Sequence, residues 1–111
     1  MTFNEGGDMA KYLLTYHGGG PMPESEKEIA AVMGAWSEWL GSAGDKLVDG
    51  GNPISHGRLI APDGAVSDAD DALTGYSIVA ADSIDDAVAF AKASPHIAAG
   101  GTVGVRETVD M

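Results

Sequence analysis

The chain has no cysteine among its 111 residues. Disulfide bonds, thiolate metal ligands and cysteine nucleophiles are therefore excluded. Histidine is also scarce, and His17, His56 and His96 lie far apart in the sequence. Zinc takes three or four protein ligands, often with two of them closely spaced. This pattern predicts no metal site, and no cofactor is expected.

Basic residues are few, with six Lys and Arg against 17 Asp and Glu, which gives a formal net charge of −11. The six are scattered along the chain and form no run. A nucleic-acid-binding surface needs clustered positive charge to replace counterions, and an anionic membrane surface makes the same demand. We expect neither partner, and we interpret the acidity as a device for solubility and self-repulsion.

Long apolar runs are also missing, since no stretch approaches the roughly 20 residues that a membrane-spanning helix needs. The N-terminus lacks the basic-then-apolar pattern of a signal peptide. A cytoplasmic protein is therefore expected. Residues 1–9 are polar and without a period, which predicts a disordered lead, and residues 10–111 predict one domain.

The first half of that domain predicts a strand, a helix and a second strand. Residues 11–17 are aromatic and aliphatic, and glycines followed by Pro21 and Pro23 stop the strand. Ser25 and Glu28 have the spacing of a capping box at a helix start. Apolar residues then recur every three or four positions until Gly41 and Gly44, namely Ile29, Val32, Met33, Trp36, Trp39 and Leu40. A short strand is predicted at residues 46–49.

The second half repeats this order. Residues 74–81 predict a strand that is apolar on both faces, as suits the centre of a sheet. Ser83 and Asp86 predict a second capped helix, Pro95 ends it, and residues 102–108 predict the last strand.

The segment between the halves is less regular. Residues 57–61 and 64–66 predict either a strand pair or an irregular excursion, with Asp68, Asp70 and Asp71 on the loop that follows. The acidic loop lacks the later glycine and glutamate of a calcium-binding loop, and we interpret it as solvated.

A β-α-β order repeated twice predicts an α+β fold, the ferredoxin-like βαββαβ sandwich. Its antiparallel sheet would carry both helices on one face. The other face would stay uncovered, and a second copy of the chain would cover it. We therefore predict a homodimer through the open sheet face, with the two sheets forming a dimeric α/β barrel.

Several segments in order resemble the YCII-related family, including its DGPF branch. They are residues 11–14, Trp36, residues 46–51, residues 75–79 and the helix start at residues 81–87. The resemblance covers about residues 10–109 and implies the same dimeric α/β barrel.

The resemblance also implies an acid–base pair of His and Asp in a cleft, but this chain departs from it. Met33 or Trp36 stands where the His falls, and Ser94 stands before Pro95 where the Asp falls. The Asp-Gly-Pro-Phe motif is replaced by residues 66–71. These departures weaken any transfer of an enzymatic activity, because fold alone does not carry chemistry.

Two residues are candidates for catalysis. His17 ends the first strand next to three glycines, at a strand end expected to face the cleft between sheet and helices, and could act as an acid–base group. Asp49 ends the second strand and could orient the ring. The alternative interpretation is a loop-edge histidine and a turn aspartate before Gly50.

Ligand contacts are expected from Trp36, Tyr76, Met33 and Ser94 in the same cleft, whereas Trp39 is expected in the core. Three functions remain open. One is a non-catalytic, ligand-binding or regulatory dimer that binds an unknown small molecule. The second is a lyase or isomerase that uses His17 with a carboxylate. The third is a purely structural scaffold.

Overall fold

The computed structural model describes residues 9–19, 24–69 and 72–109. Most of the expected N-terminal lead, the prolines of the first loop, and Asp70 and Asp71 lie outside the described residues. Among the described residues, no helix has the length and apolar character required to cross a membrane.

Six strands and three helices follow one another along the chain. They are β1 (Ala10–His17), α1 (Glu26–Gly41), β2 (Leu47–Asp49), β3 (Gly57–Ile60), β4 (Val66–Ala69), β5 (Leu73–Ala81), α2 (Ile84–Lys92), α3 (Pro95–Ala98) and β6 (Thr102–Glu107). The predicted strands and both predicted long helices are confirmed to within a few residues.

Four strands form one sheet in the order β2-β5-β1-β6, and every neighbouring pair is antiparallel. Because β1 and β2 both run against β5, they are parallel to each other, and β5 and β6 are parallel for the same reason. The central position expected for β5 is confirmed. The fold is thus a mixed α and β structure built on an antiparallel sheet.

Both long helices cover the same face of this sheet. Alternate residues of β1 point into the core, and Leu14 is fully buried there. Trp39 from α1 and Ala87 and Ala91 from α2 belong to the same buried cluster. Ser77, Val79 and Ala81 are the buried set of β5, as its alternation predicted. The opposite face of the sheet has no helix on it among the described residues.

Side-chain caps fix the helix starts. The Ser25 hydroxyl accepts a hydrogen bond from the Glu28 amide at 3.1 Å, and the Ser83 hydroxyl accepts one from the Asp86 amide at 3.2 Å. Each bond satisfies an amide that has no partner within its helix. Both predicted caps are confirmed.

The segment between the halves is a strand pair, the first of the two alternatives. β3 pairs with β4 in a separate two-stranded sheet. Asp68 was expected on a loop, and this prediction was wrong because the residue lies in β4 opposite Arg58, whose Nε is 3.2 Å from its carboxylate. The pairing of two oppositely charged side chains across the strands suits this register.

Candidate functional site

An aromatic cluster lies on the helix-covered face of the sheet, at the end of β1. The Tyr16 ring meets Trp36 edge-on, with centroids 5.0 Å apart, and Trp36 meets Trp39 in the same way at 5.7 Å. The His96 ring lies 5.5 Å from Tyr16 and 6.4 Å from Trp36. Edge-to-face pairs of this kind are favourable arrangements of aromatic rings. The cluster therefore brings an imidazole against two aromatic walls.

His96 reaches this cluster because Pro95 begins a short helix. The chain was expected to break at Pro95, but proline suits the first position of a helix, where its missing N–H would have no partner. Ser94 caps this helix α3, and its hydroxyl accepts a hydrogen bond from the Ile97 amide at 3.3 Å. The one-turn helix turns His96 inward, so that only 8% of the residue is exposed.

One ring nitrogen of His96 is held by the backbone. Nε2 lies 2.9 Å from the carbonyl oxygen of His17. A carbonyl oxygen only accepts hydrogen bonds, so Nε2 must carry the proton and donate it. In the neutral ring this leaves Nδ1 as the acceptor nitrogen.

Two glycines make room for the imidazole. A Cβ atom at Gly101 would overlap the His96 ring, and one at Gly19 would lie 3.1 Å from its Cε1 atom. Gly19 also has a φ of 111°, a conformation that residues with a Cβ rarely adopt. The ring is therefore enclosed on two sides by backbone, which fixes its orientation.

The second nitrogen, Nδ1, makes no hydrogen bond within the part of the chain that the structure describes. No side-chain nitrogen or oxygen in that part is both fully buried and without a partner, so Nδ1 is not completely enclosed. His96 thus holds an oriented acceptor beside a half-buried tryptophan.

His17 lies on the other face of the sheet. Its Nε2 atom is 2.9 Å from the Thr15 hydroxyl, and the two residues alternate with the buried Leu14 and Tyr16. Across β6, Gly104 stands opposite Thr15. The side chain of His17 therefore faces the uncovered side of the sheet and not the helix-covered cleft in which it was expected.

Asp49 is not brought next to His17. Both Asp49 and Leu13 stand opposite Ile78, and His17 lies four residues beyond Leu13. Two strand spacings and four residues along a strand put the two Cα atoms about 16 Å apart. The Asp49 carboxylate accepts a hydrogen bond from the Gly51 amide at 2.8 Å, as in the turn-aspartate alternative.

The four expected ligand contacts divide between two faces. Trp36 and Ser94 lie on the helix-covered side, where Ser94 is 2% exposed and serves as the cap of α3. Met33 lies one helical turn before Trp36 and is 62% exposed. Tyr76 alternates with the buried residues of β5 and so faces the uncovered side, opposite Thr15.

His96 was not among the site residues predicted from the sequence. A signal was present, because Ser94, Pro95 and His96 combine a cap residue with a proline at the first helical position. The signal could place a helix start, but the Gly19 and Gly101 contacts that seat the ring depend on tertiary structure.

Two linked hydrogen bonds begin at the Tyr16 hydroxyl of the aromatic cluster. The Tyr16 hydroxyl donates to the Ser77 hydroxyl at 2.7 Å, which donates to the Gly50 carbonyl at 2.8 Å. Burial raises the pKa of Tyr16, and the hydrogen bond to Ser77 only partly opposes this effect. The phenol therefore stays neutral and remains a donor, and the two hydrogen bonds tie β1 to β5 and β5 to the loop after β2.

A cavity of about 200 Å³ lies elsewhere in the helix layer, between Lys46, Asp86 and Phe90. It is smaller than the range of roughly 300–1,000 Å³ typical of small-molecule sites. Within the described ranges, no three histidine or carboxylate side chains converge as a metal site would require.

The fold and the cluster together define a small α and β domain with one helix-covered sheet face and an aromatic, histidine-containing site at the end of its first strand. The model of the YCII-related domain family matches residues 9–111, and the chain belongs to this family. No curated protein sequence matches the chain.

Proposed function

We propose that the protein binds a small, planar molecule at the end of β1, against the Trp36 and His96 rings that pack over the buried Tyr16. One observation carries this proposal: a nine-tenths buried histidine, one of whose ring nitrogens accepts no hydrogen bond from the described residues, lies beside a half-buried indole. Binding sites commonly combine apolar or aromatic walls with a few placed polar atoms.

Exposed apolar side chains lie on the two helices that carry Trp36 and His96. α1 contacts α3, and the exposed fractions are 41% for Ile29 and 62% for Met33 on α1 and 40% for Ile97 on α3. A planar ligand stacked on Trp36 would cover part of this surface. The net charge of −11 disfavours an anionic ligand, so a neutral molecule is the better fit.

Binding is tested by titrating the protein with phenol, a small planar probe. For a ligand of this size, we expect a Kd on the order of 1 mM. Trp36→Ala should weaken binding about tenfold or more, since stacked rings contribute beyond their buried area. Calorimetry or ligand-detected NMR gives the Kd, and Ile84→Ala, on the exposed start of α2, is the matched control. Equal affinity of wild type and Trp36→Ala would reject this site.

We also propose that the fold is ferredoxin-like and that the chain belongs to the DGPF branch of its family. The strand order β2-β5-β1-β6, with parallel β1 and β2 and parallel β5 and β6, supports two interleaved β-α-β units. The family match over residues 9–111 supports the branch only indirectly. A cytoplasmic location also stays a prediction.

A homodimer through the uncovered sheet face is part of the same proposal. The shortest extent of the molecule is 18 Å, about the thickness of one sheet and one helix layer. Leu13 and Ile78 stand opposite each other at the centre of the uncovered face. A second copy would remove this apolar surface from water.

We expect a particle of twice 11.3 kDa in sedimentation velocity at micromolar concentration. Ile78→Glu should shift it to the monomer, because a carboxylate would be buried without a partner in the interface. Ile84→Glu, which changes a 46% exposed residue on α2, should leave the dimer intact. A wild-type monomer at all concentrations tested would contradict the dimer.

An acid–base role for His17 with Asp49 stays a prediction. Their separation of about 16 Å does not favour the two acting as a pair within one chain.

A further inference from the structure

We propose that Nδ1 of His96 is the polar anchor of the binding site beside Trp36, and that it selects planar ligands carrying a neutral O–H or N–H donor. Phenols and other hydroxylated or N–H aromatic rings form this class. The inference rests on the proposed function, because it assigns the polar contact within the same site.

A backbone hydrogen bond determines which ring nitrogen of His96 is the acceptor. The His17 carbonyl holds Nε2 as a donor at 2.9 Å, and this leaves the lone pair of the neutral ring on Nδ1. A backbone carbonyl cannot rotate away as a side chain can, so the assignment does not depend on any neighbouring rotamer. The acceptor is thus defined before a ligand arrives.

The groups packed around the His96 ring restrict its orientation. Gly19 and Gly101 enclose the imidazole closely, and the Tyr16 and Trp36 rings lie around it. Since the ring has little room to turn, a donor would meet Nδ1 at one position relative to the Trp36 face. Such preorganisation strengthens binding because less freedom is lost on association.

The partners of His96 favour a neutral donor on the ligand. Within the described residues, the hydrogen bond of His96 is with a backbone carbonyl and its ring pairs are with Tyr16 and Trp36, and none of these partners is a carboxylate. A neutral donor therefore fits this acceptor. A ligand of the same shape without a donor would bury Nδ1 without a partner, and buried unpaired polar atoms are costly.

The test compares phenol with toluene, which replaces the hydroxyl by a methyl group of similar size. We expect the wild-type protein to bind phenol about tenfold more tightly than toluene. His96→Phe, which removes both ring nitrogens and offers no other acceptor, should abolish this preference. His56→Gln, at an exposed histidine, should retain it.

The outcomes separate the two proposals. If neither phenol nor toluene binds, the proposed function fails. If both bind equally well to the wild type, the binding site beside Trp36 is retained and the anchoring role of Nδ1 is overturned. The same holds if His96→Phe keeps the preference for phenol while circular dichroism shows it folded.

A spectroscopic readout is independent of affinity. In long-range ¹H–¹⁵N spectra, the imidazole signals that disappear in His96→Phe should show a protonated Nε2 and an unprotonated Nδ1 in the neutral ring. Phenol should move its Nδ1 resonance, and toluene should move it much less. A protonated Nδ1 in the neutral ring would overturn the proposal.

Discussion

Replacing Trp39 by Ala is expected to lower the free energy of unfolding by about 3–5 kcal/mol. Trp39 is 6% exposed and stacks on Phe90, with ring centroids 4.5 Å apart and planes 15° from parallel. Its indole N–H also donates to the Phe90 carbonyl at 3.0 Å, which ties α1 to α2. The substitution therefore removes a large buried side chain and a hydrogen bond between the helices.

This loss is a large share of the roughly 5–15 kcal/mol that stabilises a typical domain. Urea unfolding followed by circular dichroism, at one protein concentration for all variants, measures it. Trp36→Ala is the control, with an expected cost of about 1–2 kcal/mol because that ring is only half-buried. A larger cost for Trp36→Ala than for Trp39→Ala would contradict the division between a core tryptophan and a ligand-facing one.

Gly51→Ala is expected to cost about 3 kcal/mol or more. Gly51 has a φ of 80°, and a Cβ atom there would overlap the backbone carbonyl oxygen of Tyr76. The clash cannot be relieved by a side-chain rotation, because the obstructing atom belongs to the central strand β5. Relief would require β5 or the turn after β2 to move, which would disturb the Ser77 hydrogen bond to Gly50.

Substitutions at two other glycines separate the cost of the backbone conformation from the cost of the clash with Tyr76. Gly44→Ala meets no atom within 4 Å but has a φ of 56°, so it should show the conformational cost alone, about 1 kcal/mol. Gly34→Ala lies within α1 with free space around it, and it should stabilise the protein by about 0.5–1 kcal/mol. If Gly51→Ala cost no more than Gly44→Ala in urea unfolding, the close approach to Tyr76 would be refuted.

Local signals were sufficient for most of the fold. The Ser25 and Ser83 caps act within one helical turn, and the alternation along β5 reflects which side of a strand each residue faces. The family resemblance over most of the chain is likewise confirmed by the match to residues 9–111.

The candidate site was harder to predict because it depends on contacts between distant residues. His17 was expected in the helix-covered cleft because it ends a strand, but β1 alternates through Tyr16 and turns His17 to the other face. The Asp49 position depends on the register of β2 against β5, which includes an irregularity between Leu47 and Asp49. Register of this kind is set by long-range pairing and not by local sequence.

His96 also could not be identified from local sequence. Its neighbours in sequence indicate a helix start, yet its partner His17 is 79 residues away. The backbone approach that holds the ring is visible only when β1 and β6 are paired. Consequently the residue with the best-defined chemistry in the candidate site could not be identified from the sequence.

Chemical-shift mapping with phenol tests whether the surface beside Trp36 and His96 is the binding site. In ¹H–¹⁵N spectra of the wild-type protein, the largest changes should fall on the Trp36 indole N–H and on the amides of Gly19, His96 and Gly101. The Trp36 indole signal is assigned by its absence from the Trp36→Ala spectrum. Changes concentrated around Lys46 and Asp86, or on the uncovered face around Thr15 and Tyr76, would contradict binding at this site.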